Sequence, residues 1–79
     1  TSNFNIQVYP NPSSKAIIIA NGLKGMEYQL TRIDGQTLLN GVISSNQEEV
    51  TIKHLSIGNY LIKIFYNNQL IKTEKIIKE

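Results

Sequence analysis

The chain lacks most of the residue types that supply covalent links or catalytic chemistry. Its 79 residues include no cysteine and no tryptophan, and only one histidine. The lack of cysteine excludes disulfide bonds and thiolate zinc sites. A catalytic site needs a nucleophile, a base or a metal in a workable arrangement, and this inventory offers little of that. We therefore predict no catalytic residue, no metal site, no cofactor and no small-molecule substrate.

The few imidazole and acidic groups have ordinary structural explanations. His54 lies at the end of a predicted strand, just before a turn, and has no partner visible in the sequence, which favours a surface position. Glu48 and Glu49 are adjacent, and neighbours on a strand point to opposite faces. No acidic loop has the spacing of a calcium site, and the glycines are scattered at turns. These patterns predict that the protein is not an enzyme.

Positive charge is slight and mostly dispersed. The formal net charge is +2. Nucleic-acid binders usually gather basic residues in a patch, whereas here only the tail does so, with Lys72, Lys75 and Lys78. We therefore predict no nucleic-acid partner. No charged-then-apolar leader is visible and the longest apolar run, residues 16–20, is too short to span a bilayer, which indicates a mature product or a piece of a longer chain.

Alternation of apolar and polar residues with a period of two dominates the sequence. It runs from Phe4 to Val8 and recurs around Tyr28 and Leu30. Residues 15–20 form a continuous apolar run rich in β-branched side chains, which predicts a strand covered on both faces. The patterns together predict strands at residues 4–8, 15–20, 26–31, 36–43, 50–52, 60–66 and 70–77.

Short strands separated by turn signals about every ten residues are typical of an antiparallel sandwich. No window shows a competing helical period. We therefore predict an all-β, antiparallel, seven-stranded immunoglobulin-like β-sandwich, with Tyr28 and Tyr60 packed in its core. A barrel of the oligonucleotide-binding type is the nearest alternative, but it usually has five longer strands.

Four turn signals separate these strands. Asp34-Gly35 is a strong hairpin signal, and Asn67-Asn68 is a plausible two-residue turn because asparagine tolerates the left-handed region. Gly58 marks the turn before the sixth strand. The stretch VYPNPS at residues 8–13 carries two prolines, each of which fixes its own φ and biases the preceding residue towards an extended conformation. This stretch predicts a stiff corner between the first two strands.

These signals follow one another in a recognisable order. The residues concerned are Tyr9, Pro10, Asn11 and Pro12 in the corner, Ile33, Asp34 and Gly35 in the hairpin, Leu55, Gly58 and Tyr60 at the sixth strand, and Lys72, Lys75, Ile76, Ile77 and Lys78 in the last strand. The pattern resembles the C-terminal sorting domain of cargo proteins exported by the type IX secretion system, in its type A form (the Por secretion family). The resemblance covers nearly the whole chain.

The resemblance implies that the chain is a sorting signal rather than an enzyme. Residues 4–79 would be the sorting domain and residues 1–3 a linker remnant, at the end of a larger secreted cargo. The translocon and shuttle proteins of the outer membrane would recognise the domain in the periplasm and export it. A sortase-like cysteine protease would then remove it in the linker when the cargo is anchored. The implied localisation is secreted or at the cell surface.

Two segments are candidates for partner recognition. The corner at Tyr9, Pro10, Asn11 and Pro12 either only turns the chain or also forms part of the recognised surface. The basic tail either deters edge-to-edge pairing or docks on a partner, and the resemblance favours docking. A homodimer is left open. The alternative function is an accessory carbohydrate-binding or adhesive sandwich of a secreted enzyme, which would need about two or three aromatic side chains on one open face.

Overall fold

The computed structural model describes residues 5–9 and 14–79, and every regular element in them is a strand. No helix in this part of the chain is long and apolar enough to cross a membrane. The strands are β1 (Gln7–Tyr9), β2 (Ala16–Ala20), β3 (Glu27–Arg32), β4 (Thr37–Val42), β5 (Gln47–Thr51), β6 (Gly58–Tyr66) and β7 (Gln69–Lys78). Their positions confirm the predicted alternation, and the predicted ends of β2 at Ala20 and β6 at Tyr66 are exact, whereas the other boundaries differ by one or more residues.

The strands form two antiparallel sheets. One sheet has the order β1-β2-β5 and the other has the order β4-β3-β6-β7. The chain therefore crosses between the sheets after β2, after β4 and after β5. This arrangement confirms the all-β, seven-stranded antiparallel sandwich among the described residues and does not fit a five-stranded barrel. The immunoglobulin-like part of the prediction is not confirmed. In the constant-type immunoglobulin plan the fourth strand lies beside the fifth, whereas here β4 lies beside β3.

The core lies between the two sheets and is built mainly from β-branched side chains. Its buried members are Ile6, Val8, Ile17, Ile19, Met26, Leu30, Ile43, Val50, Ile52, Tyr60, Ile62, Ile64 and Ile76. Each fully buried isoleucine contributes about 1.5–3 kcal/mol relative to an exposed one. With no cysteine in the chain, this packing and the backbone ladders carry the stability.

The apolar run in β2 is fully covered on one face only. Ile17 and Ile19 are completely buried, whereas Ile18 is half-buried. Ile18 lies between Tyr9 and Glu49 on the outer face of the three-stranded sheet, and no second layer covers that face among the described residues. The prediction that this strand is covered on both faces is therefore corrected.

The hairpins differ in turn type. Asn67 and Asn68 have φ of 52° and 65°, as expected for a two-residue turn with both central residues in the left-handed region. At the β3–β4 hairpin only Gly35 has positive φ, at 101°, and its N–H donates to the Arg32 carbonyl at 2.9 Å. This is a three-residue loop closed by a glycine bulge. The predicted corner at residues 10–12 lies outside the described residues.

Tyr28 is partly buried: it packs against the core and over Gly41 of β4. A Cβ atom on Gly41 would lie 2.7 Å from the Tyr28 hydroxyl oxygen, so the glycine provides the space for the ring. Burial, and to a lesser extent the negative charge of Glu48, raise the pKa of Tyr28 above its ordinary value. The folded protein therefore favours the neutral phenol.

This raised pKa predicts a loss of stability in alkali. The contribution of Tyr28 is fully present below the unfolded pKa of about 10 and is lost as pH rises through the higher folded pKa. The free energy of unfolding in urea should therefore fall less steeply between about pH 9 and about pH 11 in Tyr28→Phe than in the original protein. Equal slopes for the two proteins would contradict the assignment, since the other tyrosines are common to both.

Candidate functional site

The turns that carry the sequence motifs lie at one end of the sandwich. In the four-stranded sheet, Arg32 at the end of β3 pairs with Tyr60 near the start of β6. Gly58, the first residue of β6, pairs with Lys78, the last residue of β7. The Asp34-Gly35 turn, the β5–β6 loop and the end of β7 therefore lie together.

The three-stranded sheet brings its own termini to the same end. Tyr9, the last residue of β1, pairs with Ile18 in β2. The N–H of Ile52, just after β5, donates to the carbonyl of Lys15, just before β2, at 2.8 Å. We call this region the motif end and define it by Tyr9 and residues 14–15, 32–36, 53–59 and 77–79.

An open hollow of about 610 Å³ lies at the motif end between the β3–β4 turn and the β5–β6 loop. Its apolar walls come from Ile33, Leu38, Leu55, Ile57 and Tyr60. Two of these side chains face solvent to an unusual degree, because Ile57 is 81% exposed and Ile33 is 58% exposed. The hollow is thus an apolar depression flanked by two accessible isoleucines.

Tyr60 fixes the loop that forms one wall. Its ring is buried in the core, as predicted, and its hydroxyl donates to the Ser56 carbonyl at 2.6 Å. A tyrosine at the start of a strand that bonds back to the preceding loop is a known feature of immunoglobulin-like sandwiches. The sequence interpretation missed this bond. Its only signal is a tyrosine that follows a loop at the beginning of an apolar strand.

Polar groups around the hollow are linked only locally. Asp34 accepts a hydrogen bond from the Gln36 N–H at 3.2 Å and lies 4.0 Å from the Arg32 guanidinium, an exposed pair of small energetic value. His54 and Ser56 also line the hollow, but no hydrogen bond within the described residues joins His54 to Asp34 or to Ser56. A nucleophile–base pair is therefore not assembled here. The described residues hold no cluster of three metal-ligating groups.

A model of the secretion system C-terminal sorting domain matches residues 7–79. The chain belongs to this family. The sequence resemblance is thereby confirmed, and the domain is a sorting signal of the type IX secretion system, a class that carries no catalysis of its own. No curated protein and no solved structure matches the chain.

The sorting domain's tail does not gather its lysines on one face. Lys72 lies opposite Ile64, far from the motif end, is half-buried and approaches Glu74 at 3.9 Å. Lys75 lies opposite Leu61 in the middle of the strand and is exposed. The two lysines occupy different levels of the sheet, so they do not form one basic patch.

Lys78 is the lysine of the tail that reaches the motif end, and it is buried. Only 6% of it is exposed, and its Nζ donates to the Glu79 carbonyl at 3.0 Å. Lys78 is two residues after the fully buried Ile76, so its side chain points to the same face of β7. It lies opposite Gly58, which has no side chain to compete for the space. Strand β7 therefore ends with a lysine that is packed into the sandwich.

The other predicted positions divide between turns and surface. Asp34 and Gly35 lie in the turn between β3 and β4, whereas Gly58, predicted as a turn residue, is the first residue of β6 because it pairs with Lys78. Tyr9 is 41% exposed at the last position of β1. Pro10, Asn11 and Pro12 follow Tyr9 directly and lie outside the described residues. Of the ten positions predicted for recognition or turns, the structure therefore places Tyr9, Asp34, Gly35, Gly58 and Lys78 together.

Replacing Tyr60 by phenylalanine should destabilise the domain without changing its fold. The substitution removes the donor of the Ser56 carbonyl, so the free energy of unfolding should fall by about 0.5–1.5 kcal/mol. Urea unfolding near neutral pH measures the change. Tyr28→Phe is the matched control, because the Tyr28 hydroxyl makes no hydrogen bond within the described residues. Equal effects of the two substitutions would show that the Tyr60 bond contributes nothing.

Proposed function

We propose that the export machinery recognises this sorting domain at its motif end. In this proposal the translocon and its shuttle proteins bind the folded domain in the periplasm and carry the attached cargo across the outer membrane. A sortase-like cysteine protease then removes the domain within the linker that includes residues 1–3, and the cargo remains at the cell surface or is released. The domain, taken as residues 4–79, supplies binding surfaces and no catalysis.

The observation that carries the proposal is the convergence of separate motifs. Tyr9, the Asp34-Gly35 turn, Gly58 and Lys78 are far apart in the sequence and lie at one end of the fold. Structural turns alone need not all lie at one end. A partner that binds this end would contact Tyr9 and the Asp34-Gly35 turn, while Gly58 and the buried Lys78 hold that end of the sheet in place. Pro10, Asn11 and Pro12, which follow Tyr9 in the sequence, are included in the proposal as predicted recognition residues.

Family membership supports the sorting function and not the carbohydrate-binding alternative. A sugar platform needs several exposed aromatic rings on one face. Among the described residues Tyr60 is buried, and Tyr28, Phe65 and Tyr66 are partly covered, which leaves Tyr9 as the exposed aromatic residue.

A fusion to a periplasmic reporter tests the proposal. In a host with a working type IX system, the reporter followed by this domain and its native linker should reach the surface or the medium. Deletion of residues 75–79 should abolish export, because it removes the strand end that pairs with Leu61, Tyr60 and Gly58. Reporter that stays in the periplasm with an intact, folded domain would contradict the proposal.

A point substitution separates recognition from folding in this assay. Lys78→Met keeps an apolar stem of similar length in the buried position, so it should preserve export if Lys78 acts by packing. Lys75→Glu reverses an exposed charge and should reduce export if the tail docks through its lysines. Circular dichroism and urea midpoints confirm that both variants fold.

We further propose that any homodimer forms through the free edge of β4. Among the described edge strands, β5 and β7 carry several charges and β1 has three residues, whereas β4 (TLLNGV) has neither charge nor proline. Such an edge lacks the usual protection against strand pairing. The Ile43 N–H donates to the Met26 carbonyl at 2.7 Å, so by alternation along β4 Asn40 and Val42 direct their backbone groups away from β3.

Asn40→Lys should prevent this pairing, since an edge lysine deters strand addition. Sedimentation velocity over a range of concentrations should show a dimer for the original domain and a monomer for Asn40→Lys. Thr51→Lys, on the edge strand β5, is the control and should leave the dimer intact. A dimer that survives Asn40→Lys, or an original domain that stays monomeric, would rule out the β4 edge.

A further inference from the structure

The motif end exposes more apolar surface than its fold requires. Ile57 is the most exposed large hydrophobic residue in the described chain, at 81%, and Ile33 is 58% exposed. Both line the same hollow from opposite sides. Exposed isoleucines are unremarkable singly, but a pair flanking a depression marks an interaction site. Burial of one such side chain by a partner is worth about 1.5–3 kcal/mol.

The two walls that carry these isoleucines are already fixed. The Tyr60 hydroxyl bonds to the Ser56 carbonyl and thereby holds the loop next to Ile57. On the other side, the Gly35 N–H bonds to the Arg32 carbonyl and closes the turn around Ile33. A hollow held open in this way costs little conformational entropy when it is filled.

The charges beside the hollow favour an acidic partner. Lys53 is exposed and directly precedes His54, which lines the hollow, and Lys15 is exposed on the neighbouring strand end, where its carbonyl accepts a hydrogen bond from the Ile52 N–H. No carboxylate pairs with either lysine among the described residues. The carboxylate of Asp34 already lies beside Arg32. Glu79, the other acidic residue of the motif end, follows Lys78, so the charge left over at this end is that of Lys15 and Lys53 and is positive, which complements carboxylates on a partner.

We infer that the hollow binds one large apolar side chain from an acidic, extended segment of a protein of the export machinery. The apolar side chain fills the space between Ile33 and Ile57, and carboxylates flanking it lie against Lys15 and Lys53. The inference rests on the proposed function and names the chemistry of the partner at that end.

Serine substitutions in the export assay test the apolar contact. Ile57→Ser and Ile33→Ser should each lower the amount of exported reporter, and the double variant by about tenfold or more. Leu23→Ser and Leu70→Ser are matched controls, because these residues are 45% and 52% exposed and lie outside the hollow. They should leave export unchanged. Urea midpoints of all variants should agree with that of the original domain, since every substituted side chain is exposed.

Charge reversal and crosslinking test the chemistry of the partner. Lys15→Glu with Lys53→Glu should reduce export several-fold, whereas Lys24→Glu, outside the motif end, should not. A photoreactive benzoylphenylalanine at position 57 should crosslink to a protein segment that contains carboxylates next to a large apolar residue. A basic segment, a lipid adduct, or the same crosslinks from position 23 would overturn the inference.

The outcomes separate this inference from the sorting function itself. If the original fusion is exported and the hollow variants are exported equally well, the inference fails and the sorting function stands. If the original fusion is not exported at all, the proposed function fails first.

Discussion

Strand β6 is the element on which the rest of the structure depends. It is the strand that pairs with both β3 and β7, so it fixes the register of the four-stranded sheet on either side. Its inward residues Tyr60, Ile62 and Ile64 are buried and face the other sheet. The same strand sets the motif end, because the pairing of its first residues aligns Arg32 with Tyr60 and Lys78 with Gly58. The pairing register of β6 therefore fixes both the core and the candidate site.

Because β7 pairs with β6 in this register, the lysine-rich tail is part of the sheet, which its composition alone does not indicate. A tail with three lysines suggests a mobile, charged segment, yet β7 is the longest strand, with ten residues, and pairs with β6 along its length. Lys78 closes that strand inside the sandwich, opposite a glycine. An export signal at this position depends on the fold, since a partner that needs the motif end also needs β7 to be in place.

The sequence predicts the strands well because burial on one face of a sheet imposes a period of two. The alternation around Ile6 and Val8, and around Tyr60, Ile62 and Ile64, is the direct trace of that burial. The burial of a side chain that depends on which residue it meets on a distant strand cannot be read from this alternation. The burial of Lys78 depends on its meeting Gly58, and the half-exposure of Ile18 depends on a face that has no second layer. The exact hairpin type at Asp34-Gly35 also depends on how β3 and β4 close.

The convergence of motifs, by contrast, follows from chain direction. When each successive strand reverses direction, the first, third and fifth connections and the end of the seventh strand all lie at one end. Tyr9 lies just before the first connection, Asp34-Gly35 belongs to the third, Gly58 follows the fifth, and Lys78 closes the seventh strand. Insertion or loss of a single strand would divide these motifs between the two ends. The fixed order of the motifs is therefore what a binding surface at one end requires, and it ties the signature of the family to its antiparallel topology.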